Sequence, residues 1–512
     1  MSKRIINRRE ALKIFGSVGL SALGSRILNQ RRDRQSNSFE TNTPNFIIMV
    51  FDTLSAAHMS LHGYKRKTTP NIEEFASSST VYHHHYSASN FTQSATASLL
   101  TGVHPWSHRS LEFFEALLPA YEKLNIFSML PPNYQTLAYT HNIHVENILE
   151  QFKTGIRLLK PLEDLVLFEE SKLVHLFEND KLIGEYASKR WLENFFPPSY
   201  SIFLNPIQTT RSAFKYAQIN GEYKDRFPIG LGERDGYLFN LEDAIDWIVD
   251  ITAAASTPFF GYFHLLPPHE SYKPSVNFFD MFANDQFDFV QKPEHFFSDR
   301  ISDEDQQINC QRYDEYIAYV DEEFGRLVRE LEEQGTLDNT FLILTSDHGQ
   351  LIERGMHGHL QPALYESVIH VPLIIHAPRQ TQGRNSYVPT SSLDLVPTLL
   401  RLAGQPASPG MEGKLLPFWG GTEDSRRIIF SMHARRNAKM APLRTRTFAA
   451  IQWPYKLIEY RGYEGLEGFD ELFNLEKDPQ ELSNLAKEHP SMVSRLKEEL
   501  LKNQNRAEKD SL

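Results

Sequence analysis

Three uninterrupted apolar runs constrain this chain more than any other feature. NFIIMVF ends at Phe51, PFFGYFHLL starts at Pro258, and TFLILT starts at Thr340. None alternates polar with apolar residues, as a strand with one wet face does, so each reads as a strand buried on both faces. Helical spacing appears between them, in NLEDAIDWIVDITAAA (240–255) and in QRYDEYIAYVDEEFGRLVRELEEQG (311–335), which closes on Gly335. Buried strands alternating with amphipathic helices predict an α/β fold, a mixed, mostly parallel central sheet flanked by helices. Near the C-terminus IIFSMHA, TFAAIQW and YKLIEY read as short strands, and HPSMVSRLKEELLKN as a closing helix. The predicted organisation is a signal-like segment and linker over 1–43, a main α/β domain over 44–420, and an α+β subdomain with an antiparallel sheet over 421–512.

Ligands of open α/β sheets bind beyond the carboxyl ends of the strands. The first run delivers Asp52 there. The third delivers Ser346, Asp347 and His348, and the second runs into His264, with His269 in the loop that follows. Two carboxylates and an imidazole, delivered by different strands to one edge, predict a divalent-metal site. The stretch SNFTQSATASLLTG adds a hydroxyl. Thr92 is expected as the N-cap of a short helix that ends at Gly102. A hydroxyl at a helix N-terminus faces free N–H groups that favour an anionic ester, and a nearby divalent cation turns it into a nucleophile. On these grounds alone, Thr92 as a simple cap remains the alternative. The run Tyr82-His83-His84-His85-Tyr86 is not read as a metal site, because successive strand residues face opposite ways.

A formal net charge of -12 argues against non-specific nucleic-acid binding, which depends on clustered Lys and Arg. With Cys310 the single cysteine, neither an intramolecular disulfide nor a cysteine-based zinc cluster can form. At the N-terminus, Asn7-Arg8-Arg9-Glu10-Ala11-Leu12-Lys13 precedes a weakly apolar run from Ile14 to Gly24. That run is shorter than the ~20 residues of a membrane span and resembles a bacterial twin-arginine signal. Export, to a periplasm, is the expectation. No A-x-A cleavage site follows, so an uncleaved anchor stays open, and no other segment is expected to cross a membrane. Residues 150–235 and 275–300 carry no interpretable motif and are where substrate determinants are expected.

Taken together, the motifs resemble the sulfatase family of the alkaline phosphatase superfamily, from about residue 44 to near 490. FDTLSAAHMSLHGYKRKTTPNIEEFA is similar to the first motif, TSDHGQ to the second metal motif, and DELFNLEKDPQELSNLA to the C-terminal signature. The resemblance implies one divalent ion on Asp52, Thr92, Asp347 and His348. Counting ten positions back from Gly102 gives Thr92 as the catalytic residue. His269 matches the pocket histidine that binds the ester oxygen or protonates the leaving group. Asn142, His264, His357 and His359 are candidate pocket residues.

Two departures qualify the resemblance. A sulfatase carries Cys or Ser within C/S-x-P-x-R, oxidised to formylglycine, whereas this chain has Thr92-Gln93-Ser94-Ala95-Thr96. Oxidising threonine gives a ketone, so no formylglycine is expected. Threonine is what phosphodiesterases and phospho-group transferases of the superfamily use. Thr53 also replaces a second aspartate, which favours manganese or zinc, with calcium or magnesium as alternatives. The expected function is a metal-dependent hydrolase that uses Thr92 on phosphoesters of a small-molecule, lipid or glycan substrate. The alternatives are a sulfate-ester hydrolase, a phospho-group transferase and a non-catalytic relative that binds anions or glycans.

Overall fold

The computed structural model describes residues 43–169, 205–234 and 237–511, and in it the three apolar runs lie side by side. Eight strands form the main sheet: β1 (Asn45–Phe51), β2 (Thr80–Tyr82), β3 (Gln135–Thr140), β4 (Leu158–Leu159), β5 (Phe259–Leu265), β6 (Thr340–Thr345), β7 (Leu373–His376) and β8 (Arg384–Ser386). Their order is β8-β2-β7-β6-β1-β5-β3-β4, and β7 alone runs against the rest. The central strand β1 pairs in parallel with β6 on one side and β5 on the other. The register aligns Val50 with both Thr345 and His264, so the chain leaves all three strands at one level.

Alternation along β1 divides the core into two layers. Ile47, Met49 and Phe51 pack with α3 (Leu241–Ala254) and α4 (Asp303–Glu333), through Ile245, Ile248, Ile317 and Phe324. Phe46, Ile48 and Val50 face α1 (Thr92–Thr101), α2 (Ile143–Gln151) and α5 (Leu395–Leu402), through Leu100, Ile148 and Leu399. The apolar runs were therefore read correctly as doubly buried.

Helix α4 begins at Asp303, ahead of the expected start at 311. Ser302 caps it by accepting the Asp305 N–H, and three acidic residues occupy the first turn. Those polar residues stabilise the helix start without contributing to the apolar periodicity that marked the rest. Similarly, Asn240 is the cap of α3 rather than its first residue.

Toward the C-terminus, β9 (Ile429–His433), β10 (Arg446–Gln452), β11 (Tyr455–Arg461) and β12 (Asp470–Asn474) form an antiparallel sheet in that order. One face packs on α6 (Pro490–Ser511) through Val493, Leu496 and Leu500. The other packs on Tyr365, Val368 and Ile369. Buried Lys456 of β11 joins the two parts by pairing with Glu366 at 3.0 Å and Glu481 at 2.8 Å. The signal-like segment over 1–42 lies outside the described residues, as do residues 170–204 of the unassigned stretch. No described helix is long and apolar enough to cross a membrane.

Replacing Leu344 of β6, which is fully buried in the central sheet, with alanine removes packing on one layer. A loss of about 2–5 kcal/mol in urea unfolding is expected.

Candidate active site

Beyond the ends of β1, β5 and β6, the predicted residues converge. Asp52 follows β1, Asp347 and His348 follow β6, and His264 lies near the end of β5; all four are buried. Each presents one atom to a common centre while a neighbour ties down the other. Asp52 Oδ2 accepts from Asn142 Nδ2 at 2.7 Å. Asp347 Oδ1 accepts the backbone N–H of His348 at 2.9 Å and of Thr53 at 3.3 Å. His348 Nδ1 donates to the Gly349 carbonyl at 2.9 Å, so its Nε2 carries the lone pair in the neutral ring. Three buried atoms are left without a hydrogen-bond partner: Asp52 Oδ1, Asp347 Oδ2 and His264 Nε2.

Local backbone geometry serves this arrangement. Thr53 has φ 63°, a left-handed conformation that a β-branched residue rarely adopts. Its N–H thereby reaches Asp347, and its carbonyl accepts from the Tyr313 hydroxyl on α4. Asn142 does two jobs: its Oδ1 caps α2 by accepting the His144 N–H at 2.9 Å, and its Nδ2 holds Asp52.

Thr92 joins the cluster but not as expected. The N-cap of α1 is Phe91, in extended conformation, and Thr92 is the first helical residue. Its hydroxyl does not cap the helix. It donates to His348 Nε2 at 2.9 Å, because that nitrogen is the available acceptor. The helix closes on Gly102 at φ 72°, the left-handed residue that the sequence predicts.

Electrostatics separate the two carboxylates. Burial works to raise Asp52, but the imidazoles of His264, His269 and His348 outweigh it and hold the group below the usual carboxylate range. Burial and the adjacent Asp52 charge push Asp347 up instead. Carboxylate and imidazole atoms of Asp52, His264 and Asp347 lie within 4.8 Å of one another, close enough to share a cation. With three unpartnered buried atoms in this cluster and His348 Nε2 3.4 Å from Asp347 Oδ2, these residues fit a divalent ion.

Next to this cluster, His269 and His359 meet through their Nε2 atoms at 3.1 Å. His269 Nδ1 contacts the Glu270 carbonyl at 2.8 Å and His359 Nδ1 the Asn90 carbonyl at 3.2 Å. A hydrogen bond between the two Nε2 atoms requires a proton on one of them. Burial, with the His348 and His269 rings nearby, keeps His359 well below the usual imidazole value. The His359 ring also stacks on His348, with centroids 4.2 Å apart. His357 is not part of this group; its Nε2 contacts the Tyr272 hydroxyl at 3.0 Å. In the histidine run, His83, His84 and His85 contact Asn385, the Tyr387 carbonyl and Thr390 respectively.

Sequence reasoning missed Tyr262, whose hydroxyl contacts His264 Nδ1 at 3.0 Å. The signal was present, since residues two apart on a strand share a face. It also missed how closely Gly349 is packed: a Cβ there would lie 2.2 Å from the Ser367 carbonyl oxygen.

Comparison with known proteins decides the family. The sulfatase family model matches residues 44–405. The chain belongs to the sulfatase family. The model of the N-sulphoglucosamine sulphohydrolase C-terminal region matches residues 355–506. Arylsulfatase K of Danio rerio is 28% identical over 291 residues, which is 49% of this chain and 53% of that one. Choline-sulfatase of Rhizobium meliloti is 33% identical over 191 residues, 36% of this chain and 35% of that one. The chain thus spans about half of the first and about a third of the second. Arylsulfatase of Clostridium perfringens is 23% identical over 501 residues, 90% of this chain and 94% of that one. Among solved structures, the phosphonate monoester hydrolase of Agrobacterium radiobacter superposes with a TM-score of 0.64 at 20% identity, covering 91% of this chain and 96% of that one. At that identity the likeness shows a shared fold.

Gly349→Ala is expected to push the loop away from Ser367 and to turn the His348 ring. Destabilisation of about 1–3 kcal/mol in urea titration, with weaker metal retention, is the predicted outcome.

Proposed function

We propose that the chain is a metal-dependent ester hydrolase in which Thr92 attacks a phosphoester. The observation that carries this reading is the 2.9 Å hydrogen bond between the Thr92 hydroxyl and His348 beside two buried carboxylates. Asp52, Asp347, His348 and Thr92 would hold one divalent ion, which supplies Lewis-acid activation of the ester and of the hydroxyl.

The chain's own residues divide the remaining work. Thr92, at the N-terminus of α1, offers its oxygen where the first-turn N–H groups favour an anion. Its oxygen, which would have lost its proton when the ion bound, bonds to phosphorus as the bond to the leaving oxygen breaks. His269 delivers the proton held between its Nε2 and that of His359 to that leaving oxygen. Water then cleaves the Thr92 ester and its released proton restores the pair. Asn142 keeps Asp52 oriented throughout.

Threonine in place of Cys or Ser at this position supports phosphate over sulfate, because no aldehyde can form from it. A sulfate-ester hydrolase is the second reading, favoured by the names of the relatives that align with the chain. Small-molecule, lipid and glycan esters are the substrate classes proposed. Export rests on Arg8-Arg9 and the apolar run behind them.

The test compares aryl phosphodiester, phosphomonoester and sulfate substrates with added manganese, zinc, calcium or magnesium. Turnover of a phosphoester is expected, falling about a thousandfold or more in Thr92→Ala and surviving in Thr92→Ser, which keeps the hydroxyl. Sulfate turnover without phosphoester turnover would overturn the reading.

A further inference from the structure

The clearest feature that the proposed mechanism leaves unused is His264. Its Nε2 is fully buried and without a hydrogen-bond partner, 3.6 Å from Asp52 Oδ2 and 3.8 Å from Asp347 Oδ2. The Tyr262 hydroxyl lies 3.0 Å from its other nitrogen. A buried imidazole facing two carboxylates has two explanations: an imidazolium pinned between them, or a neutral ring that shares a cation with them.

The surroundings favour the cation. An imidazolium would aim its Nε2–H at a carboxylate within hydrogen-bond reach, whereas both contacts are longer than the 2.7–2.9 Å of a charged N–H···O bond. Asp52 Oδ1 and Asp347 Oδ2 also stay unpartnered, although both line the same space. The spacings fit coordination instead. Bonds of about 2.0–2.2 Å place neighbouring ligand atoms roughly 3.0–3.6 Å apart. His348 Nε2 lies 3.4 Å from Asp347 Oδ2 and 3.9 Å from Asp52 Oδ1. His264 Nε2, 3.6 Å from Asp52 Oδ2 and 3.8 Å from Asp347 Oδ2, stands at or just above the same range.

We propose that His264 is a direct ligand of the divalent ion, so that two carboxylates and two imidazoles hold it together with the Thr92 oxygen. Tyr262 is its positioning residue, since a ligating histidine uses its second nitrogen to fix ring orientation and tautomer. The shell selects a cation that accepts imidazole nitrogen beside carboxylate oxygen, zinc above the others tested. Calcium takes six to eight oxygen ligands, and two nitrogens in the shell exclude that sphere. This inference rests on the assignment of Asp52 and Asp347 as metal ligands under the proposed function.

The test reads metal binding directly, on full-length protein stripped and reloaded with Zn2+ or Co2+. Affinity is measured by competition with a chromophoric chelator, and the ligand field by the visible spectrum of the Co2+ form. One ion per chain is expected for the wild type, with Ca2+ unable to displace Zn2+. His264→Gln is expected to lose at least about tenfold in Zn2+ affinity and to alter the Co2+ spectrum. Tyr262→Phe is expected to lose about tenfold while retaining the fold by circular dichroism. Asp347→Asn is the control that abolishes binding. Unchanged affinity and spectrum in folded His264→Gln, alongside loss in Asp347→Asn, would overturn the role of His264 and leave the metal assignment standing. No ion bound by the wild type would overturn both.

Discussion

Two carboxylates buried side by side are the constraint on which the rest of this structure depends. Asp52 and Asp347 are both withdrawn from water at the ends of adjacent parallel strands. Leaving such charges uncompensated in a protein interior is costly. The fold answers with imidazoles from two strands, backbone N–H groups from Thr53 and His348, and the Asn142 amide. The left-handed turn at Thr53 and the tight approach at Gly349 are secondary costs of keeping that cluster in place. Asp52 Oδ1, Asp347 Oδ2 and His264 Nε2 remain buried without a partner, as ligand atoms of a cation would.

Much of this was legible because the chemistry sits at strand ends. Continuous apolar runs identify the central strands, and the polar residues that follow them mark the edge where the buried cluster forms. Asp52, Asp347 and His348 followed directly from that rule. What sequence could not supply was register and ring orientation. Thr92 is a good cap residue by type, yet its hydroxyl turns to His348, because an acceptor 256 positions away in the chain competes with its own helix. His264 reads in the sequence as a candidate pocket residue, and the register of β5 sets it beside Val50 of β1, level with the carboxylates. His357 and His359 are two residues apart on and just after a short strand, but only His359 reaches His269. The start of α4 escaped because a polar, capped first turn has no apolar period.

Family and chemistry pull apart at one position. The chain is a sulfatase by family, and most of the aligned relatives are named for sulfate esters. Its fold is shared with a protein named for phosphonate monoesters. Fold settles neither outcome, since the same scaffold hosts different reactions. The discriminating group is the proposed nucleophile, Thr92, because oxidation of a threonine carbinol carbon, which bears a methyl, gives a ketone rather than an aldehyde.

The most direct measurement is therefore acid-quenched peptide mapping of the full-length protein during turnover of a phosphodiester, reading the segment that contains residues 89–108 by mass spectrometry. The account predicts unmodified Thr92 in the resting protein and a phosphoryl ester on Thr92 during turnover. A resting Thr92 already oxidised, or an ester trapped on Ser94, Thr96 or Ser98 instead, would contradict it.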